Sequence, residues 1–153
     1  MKRGITYEIP NEYGSFIFDI LEPLSSLDLL WYVGEQEIYK VEEDKSQNKP
    51  LLLNNVTMDS KTFWKSLKGN EYYVIFSDLK AYSTENITPI ETYKDFLESD
   101  CQLVLLIADC TMVTVYCKDP QLLELLYKKA NTMNYKNIEY ITNENDERTG
   151  MEN

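Results

Sequence analysis

Between Gln102 and Cys117 the chain reads QLVLLIADCTMVTVYC, two β-rich runs around the polar link Asp109-Cys110-Thr111. A link this short turns the chain back on itself. The spacing therefore predicts an antiparallel hairpin of Gln102 to Ala108 with Met112 to Cys117. The first run is apolar at consecutive rather than alternate positions, the pattern of a strand covered on both faces. The flanking segments then have to supply the rest of a sheet and a layer on each side of it.

Downstream, Asp119 and Pro120 announce a helix: the carboxylate accepts an orphan N–H, and proline suits the first helical position. Leu122, Leu123, Leu126, Ala130 and Met133 recur behind them at helical spacing as a buried stripe. Lys136 to Ile141 reads as a last strand, and Thr142 to Asn153 as a polar, acidic tail expected to fray. Upstream, Thr92 caps a short helix through Tyr93, Phe96 and Leu97, and Tyr72 to Leu79 is a strand. Asp59 caps a helix carrying Phe63, Trp64 and Leu67, with Gly69 where a left-handed terminal residue belongs. Leu29 to Val33 and Glu37 to Val41 flank Gly34-Glu35-Gln36, which predicts a tight hairpin. Glu42 to Pro50 is polar and reads as a loop. Near the start, Ile5, Tyr7 and Ile9 alternate along a strand from Arg3 to Ile9. Tyr13, Phe16, Ile17, Ile20, Leu21 and Leu24 share one face of a helix that Pro23 ends.

The expected fold is α+β, an antiparallel-rich sheet with helices. The element order, βαββαβ followed by αββαβ, suggests a duplicated ferredoxin-like unit within one domain of residues 1–142, with halves 1–79 and 80–142 and an acidic tail 143–153. The alternative is a single α+β layer fold whose elements merely alternate.

The 153 residues include no histidine, three cysteines, 26 acidic and 15 basic side chains, a formal net charge of -11. Without histidine the commonest general base and every Ser-His or Cys-His nucleophile pair are excluded. Carboxylates such as Glu8 with Glu12, Glu42 with Glu43 and Asp44, or Asp109 read as solvated surface. No Gly-rich phosphate loop occurs, the cysteine spacing fits no zinc site, and the tail lacks the pattern of a calcium-binding loop. No cofactor, no metal and no catalytic residue is expected. Cys101, Cys110 and Cys117 read as free thiols, with a Cys101–Cys117 redox pair open to a hairpin fold. The charge repels a phosphate backbone, so nucleic acid is not an expected partner. The longest apolar run, Leu103 to Ala108, is too short for a bilayer span, and the start carries no signal-like run, so the expected location is the cytoplasm. Edge strands permit a dimer and nothing in the composition requires one.

Twelve tyrosines and two tryptophans are concentrated in the strand-like runs. Trp31, Tyr32, Tyr39, Trp64, Tyr72 and Tyr73 are the candidate contacts to a partner or ligand, because aromatics bury much area at little entropy cost. The plain alternative is that they join the two halves of the fold.

Lys2-Arg3-Gly4-Ile5 with Glu8-Ile9-Pro10-Asn11, Asp100-Cys101-Gln102-Leu103-Val104-Leu105, Val115-Tyr116-Cys117-Lys118-Asp119, and Glu139-Tyr140-Ile141-Thr142 with Glu144-Asn145-Asp146 together resemble a small DUF2691-like family of bacterial proteins of unknown function from Bacillus-type bacteria. The resemblance implies a bacterial cytosolic setting and a single domain, and it carries over no site residue. The expected function is a non-enzymatic protein-interaction module, immunity- or antitoxin-like, whose acidic face meets a basic protein. The alternative is a small-molecule sensor with an aromatic pocket between the halves, lined by Trp31, Trp64 and tyrosines.

Overall fold

The computed structural model describes residues 1–41 and 50–153. Its strands are β1 (Lys2–Glu8), β2 (Leu30–Val33), β3 (Glu37–Lys40), β4 (Val56–Met58), β5 (Tyr72–Tyr82), β6 (Cys101–Ala108), β7 (Met112–Cys117) and β8 (Lys136–Thr142). They form one sheet in the order β4-β2-β5-β6-β7-β1-β8, with β3 also paired to β5. Every ladder between these strands is antiparallel. The helices are α1 (Phe16–Leu21), α2 (Ser60–Leu67), α3 (Tyr93–Glu98) and α4 (Pro120–Thr132), with a 3-10 turn at Glu22–Leu24.

The β6–β7 hairpin forms where the sequence places it, from Ala108 facing Met112 to Leu103 facing Cys117. Asp109 and Cys110 turn it with φ of 51° and 67°, the left-handed pair that matches strand twist in a tight hairpin. Strand β6 is covered on both faces, as its apolar run requires. Leu103, Leu105 and Ile107 enter a core beneath α1, α2 and α4, while Val104 and Leu106 enter a second core on the opposite face.

The helix caps follow the sequence. Asp119 accepts from the Gln121 N–H at 2.9 Å, Asp59 accepts from the Thr62 N–H at 2.8 Å, and Thr92 and Asp95 form a reciprocal capping box. Gly69 takes φ +75° just beyond α2. On α4 the buried stripe is Leu123, Leu126 and Ala130. Leu122 is half-buried, and Met133 is exposed because the helix ends at Thr132. Tyr13 is likewise exposed, since α1 starts only at Phe16.

The expected hairpin at Gly34 is not formed. β2 and β3 are two parts of one run antiparallel to β5: Leu30 faces Tyr82, and eight residues on, Ile38 faces Val74, eight residues back. The Gly34 N–H donates to the Asp78 carbonyl at 2.8 Å and carries the ladder across the break. Glycine serves close approach rather than a turn, because a Cβ there would meet the Asp78 side chain at 3.2 Å. β5 also runs three residues beyond Leu79, and the short edge strand β4 has no counterpart in the sequence reading. The loop expected over Glu42 to Pro50 lies outside the described residues except for Pro50, which bridges to Tyr39.

A ferredoxin-like first half, a split βαβ unit with an antiparallel sheet, would set the first strand of the chain beside the strands of its own half, β3 and β5. β1 lies between β7 and β8, so the first strand of the chain completes a sheet made by the last ones. The ladders therefore do not show the expected duplicated order; they show a single interleaved sheet.

The tail also departs from expectation. Met151 is 1% exposed, and the Asn153 amide donates to the Ser77 and Ile107 carbonyls at 2.6 and 2.9 Å. Together with residues 83–100, the tail forms the layer over the sheet's second face, where Ile90, Phe96 and Met151 pack on Tyr82, Val104 and Tyr116. Among the described residues, no helix is long and apolar enough to cross a membrane.

Candidate functional site

Asp78 and Lys80 sit two residues apart on β5 and so project from the same side of the strand. That side is the second face, since their neighbours Leu79 and Ala81 belong to the core under α1, α2 and α4. The Lys80 ammonium donates to Asp78 Oδ1 at 2.6 Å, and the two residues are 4% and 8% exposed. Burial raises the Asp78 carboxyl above its ordinary value, and this outweighs the lowering by Lys80.

Two adjoining depressions open over this pair. One, of about 240 Å³, is lined by Asp78 and Lys80 with Gly34, Glu35, Asn55, Phe76 and the tail residues Glu152 and Asn153. The other, of about 290 Å³, is lined by Lys80 and Tyr82 with Ile87, Thr88, Pro89 and Ile90. Tyr32, Lys80 and Glu152 belong to both. One depression is therefore acidic and the other largely apolar, with Lys80 on the wall between them.

The layer around this cleft is strongly acidic. Residues 83–100 and 143–153 carry Glu85, Glu91, Asp95, Glu98, Asp100, Glu144, Asp146, Glu147 and Glu152 against only Lys94 and Arg148, a net -7 of the chain's -11. Asp146 is tied inward: it accepts from Arg3 Nη1 at 3.1 Å and from the Tyr116 hydroxyl at 2.9 Å, while the Arg3 guanidinium lies 4.1 Å over the Tyr93 ring. That network fastens the tail to the sheet. Glu85, Glu91, Glu98, Glu144, Glu147 and Glu152 are exposed.

The aromatic residues singled out from the sequence divide. Trp31 is fully buried, stacked on Phe63 at 4.1 Å between ring centroids, with Trp64 edge-on to both. Tyr72 is buried too, and its hydroxyl accepts from the Phe18 N–H at 3.0 Å. Trp31 and Tyr72 belong to the core of the first face, with the half-buried Trp64 packed against it, and none of the three lines the cleft. Tyr73 packs against Tyr13 and bonds to Asn11. Tyr39 donates to Glu37 at 2.7 Å and lines a separate hollow beside Pro50. Of the six, Tyr32 alone lines the cleft, and Trp31 and Trp64, expected to line an aromatic pocket between two halves, do not reach it. Asp78 and Lys80 were passed over, although two charges at i and i+2 inside an otherwise apolar strand were a signal.

Cys101 and Cys117 cannot pair. A register shift between Ala81 and Tyr82 turns Cys101 into the second core, whereas Cys117 faces the first. Burial pushes each thiol up to about 12. Among the described residues, no three acidic or cysteine side chains converge as metal ligands would.

Residues 2–152 match the family model described as Protein of unknown function (DUF2691). The chain is 38% identical over 152 residues, 99% of each chain, to the Uncharacterized protein YncE of Bacillus subtilis (strain 168). No solved structure matches it. With the family model spanning the sheet and both its covering layers, and a Bacillus relative aligned from end to end, the chain belongs to the DUF2691 family.

Proposed function

We propose that the chain is a non-enzymatic protein-interaction module of the bacterial cytoplasm whose acidic second face receives a basic protein, as an immunity or antitoxin protein would mask a basic toxin. One observation carries this reading: a net -7 of the chain's -11 lies in residues 83–100 and 143–153, which cover one face of the sheet. On the opposite face, the helices and their caps set Lys61, Lys65, Lys128 and Lys129 against Asp19, Glu22, Asp59, Asp119 and Glu124, which leaves that face close to neutral. Charge needed only for solubility has no reason to segregate in this way. A one-sided field, in contrast, steers a basic partner to one surface and speeds the encounter.

The test is capture from a Bacillus-type host by the wild-type chain and by Glu85→Gln/Glu91→Gln/Glu98→Gln/Glu147→Gln, all at exposed positions. The expected result is a basic protein held by the wild type at low salt, released at about 0.5 M salt where the screening length falls to a few ångströms, and not held by the variant. A partner retained equally by the variant, or no basic protein at any salt, would sink the reading.

A further inference from the structure

We infer that the cleft over Lys80 and Asp78 is a binding site for a small zwitterion, an α-amino acid with an apolar side chain. The inference stands on the cleft and not on the acidic layer. A buried ion pair adds little stability that two apolar residues of the same volume would not supply better. This pair occupies a strand whose neighbours are apolar, and although only 4% and 8% exposed it lines two open depressions.

The donor inventory points to the ligand. An ammonium has three N–H donors, and among the described residues the Lys80 group gives one to Asp78. The others suit a carboxylate. On the acidic side, Asp78, Glu35 and Glu152 offer acceptors that suit an ammonium. On the other side, Ile87, Pro89 and Ile90 form an apolar pocket large enough for a branched or aromatic side chain. A phosphate or dicarboxylate would meet three carboxylates, and a simple amine would offer Lys80 no acceptor beyond Asp78. Only a molecule with both charges on one carbon and an apolar branch satisfies all three walls, and it brings no net charge into an acidic protein.

The experiment is calorimetric titration and thermal shift of the full chain with leucine, isoleucine, phenylalanine and glutamate, alongside isocaproate and isoamylamine, which are leucine without its ammonium and without its carboxylate. At least one apolar amino acid is expected to bind and to raise the melting temperature by a few degrees at saturating millimolar concentration. Glutamate and the two truncated analogues should bind at least about tenfold more weakly. Asp78→Leu/Lys80→Met, if folded, should show no binding, and Glu152→Gln, altered at an exposed position, should bind several-fold more weakly. No binding by any apolar amino acid at about 10 mM, equal binding of isocaproate or isoamylamine, or undiminished affinity in Glu152→Gln would each overturn the inference.

Discussion

At the scale of single residues, Lys80 and Asp78 stand apart because they are buried and, among the described residues, make a salt bridge with each other alone. Removing one partner strands the other. Lys80→Met alone should cost about 3–5 kcal/mol, whereas Asp78→Leu/Lys80→Met should stay within about 1 kcal/mol of wild type or exceed it, as read by chemical denaturation. A double variant as weak as the single one would mean that the pair is needed to build the sheet. The thiols give a second test. Cys101 and Cys117 are buried and Cys110 only half-buried, so a thiol reagent at pH 8 should label Cys110 quickly in the native protein and all three after unfolding. Rapid native labelling of all three would contradict the two-face assignment. Because burial lifts both buried thiols from 9.0 to about 12, the native state keeps protons that the unfolded state releases above pH 9. Stability contributed below pH 9 is therefore lost as pH rises towards 12, and Cys101→Ala/Cys117→Ala should flatten that decline while lowering stability at pH 7.

At the scale of elements, Gly4 shows how tightly β1 is inserted between its neighbours. A Cβ there would lie 2.0 Å from the Val115 carbonyl oxygen, a backbone atom that cannot swing away. Gly4→Ala should destabilise by about 3 kcal/mol or more, or prevent folding, whereas Gly69→Asn, at φ +75° in open space, should cost well under about 1 kcal/mol. Equal tolerance at both positions would mean that β1 is not held between β7 and β8. The same scale explains what could be read in advance. The β6–β7 hairpin and the caps Asp59, Thr92 and Asp119 were legible because each depends on contacts only a few residues apart in sequence. The run from Leu30 to Lys40 was misread because Gly34 carries the same local signal whether the chain turns back or merely passes close to Asp78. Only the position of β5, some 40 residues further on, settles which occurs. The candidate site was missed for a related reason: Asp78 and Lys80 look like surface charges until β2 and β6 enclose β5 on both sides.

At the scale of the whole molecule, the acidic layer and the cleft are held in place by one segment, residues 143–153. Met151 anchors it in the second core, Asp146 ties it to Arg3 and Tyr116, and Asn153 caps two carbonyls of β5 and β6. A tail read from composition alone looks frayed because nine of its eleven residues are polar or charged; one methionine and one arginine-aspartate pair reverse that. Met151→Ala should cost about 2–3 kcal/mol and lower the melting temperature by roughly 4–12 °C, and hydrogen exchange should be slowed in residues 145–153 of the wild type. Unprotected amides throughout that stretch would remove the layer on which the proposed face depends. The most direct test of that face is carbodiimide coupling of carboxylates to the lysines of the captured basic partner, mapped by mass spectrometry. Cross-links are expected from Glu85, Glu91, Glu98 and Glu147, and cross-links confined to Glu22, Asp59 and Glu124, which belong to the helices of the opposite face and their caps, would overturn the assignment.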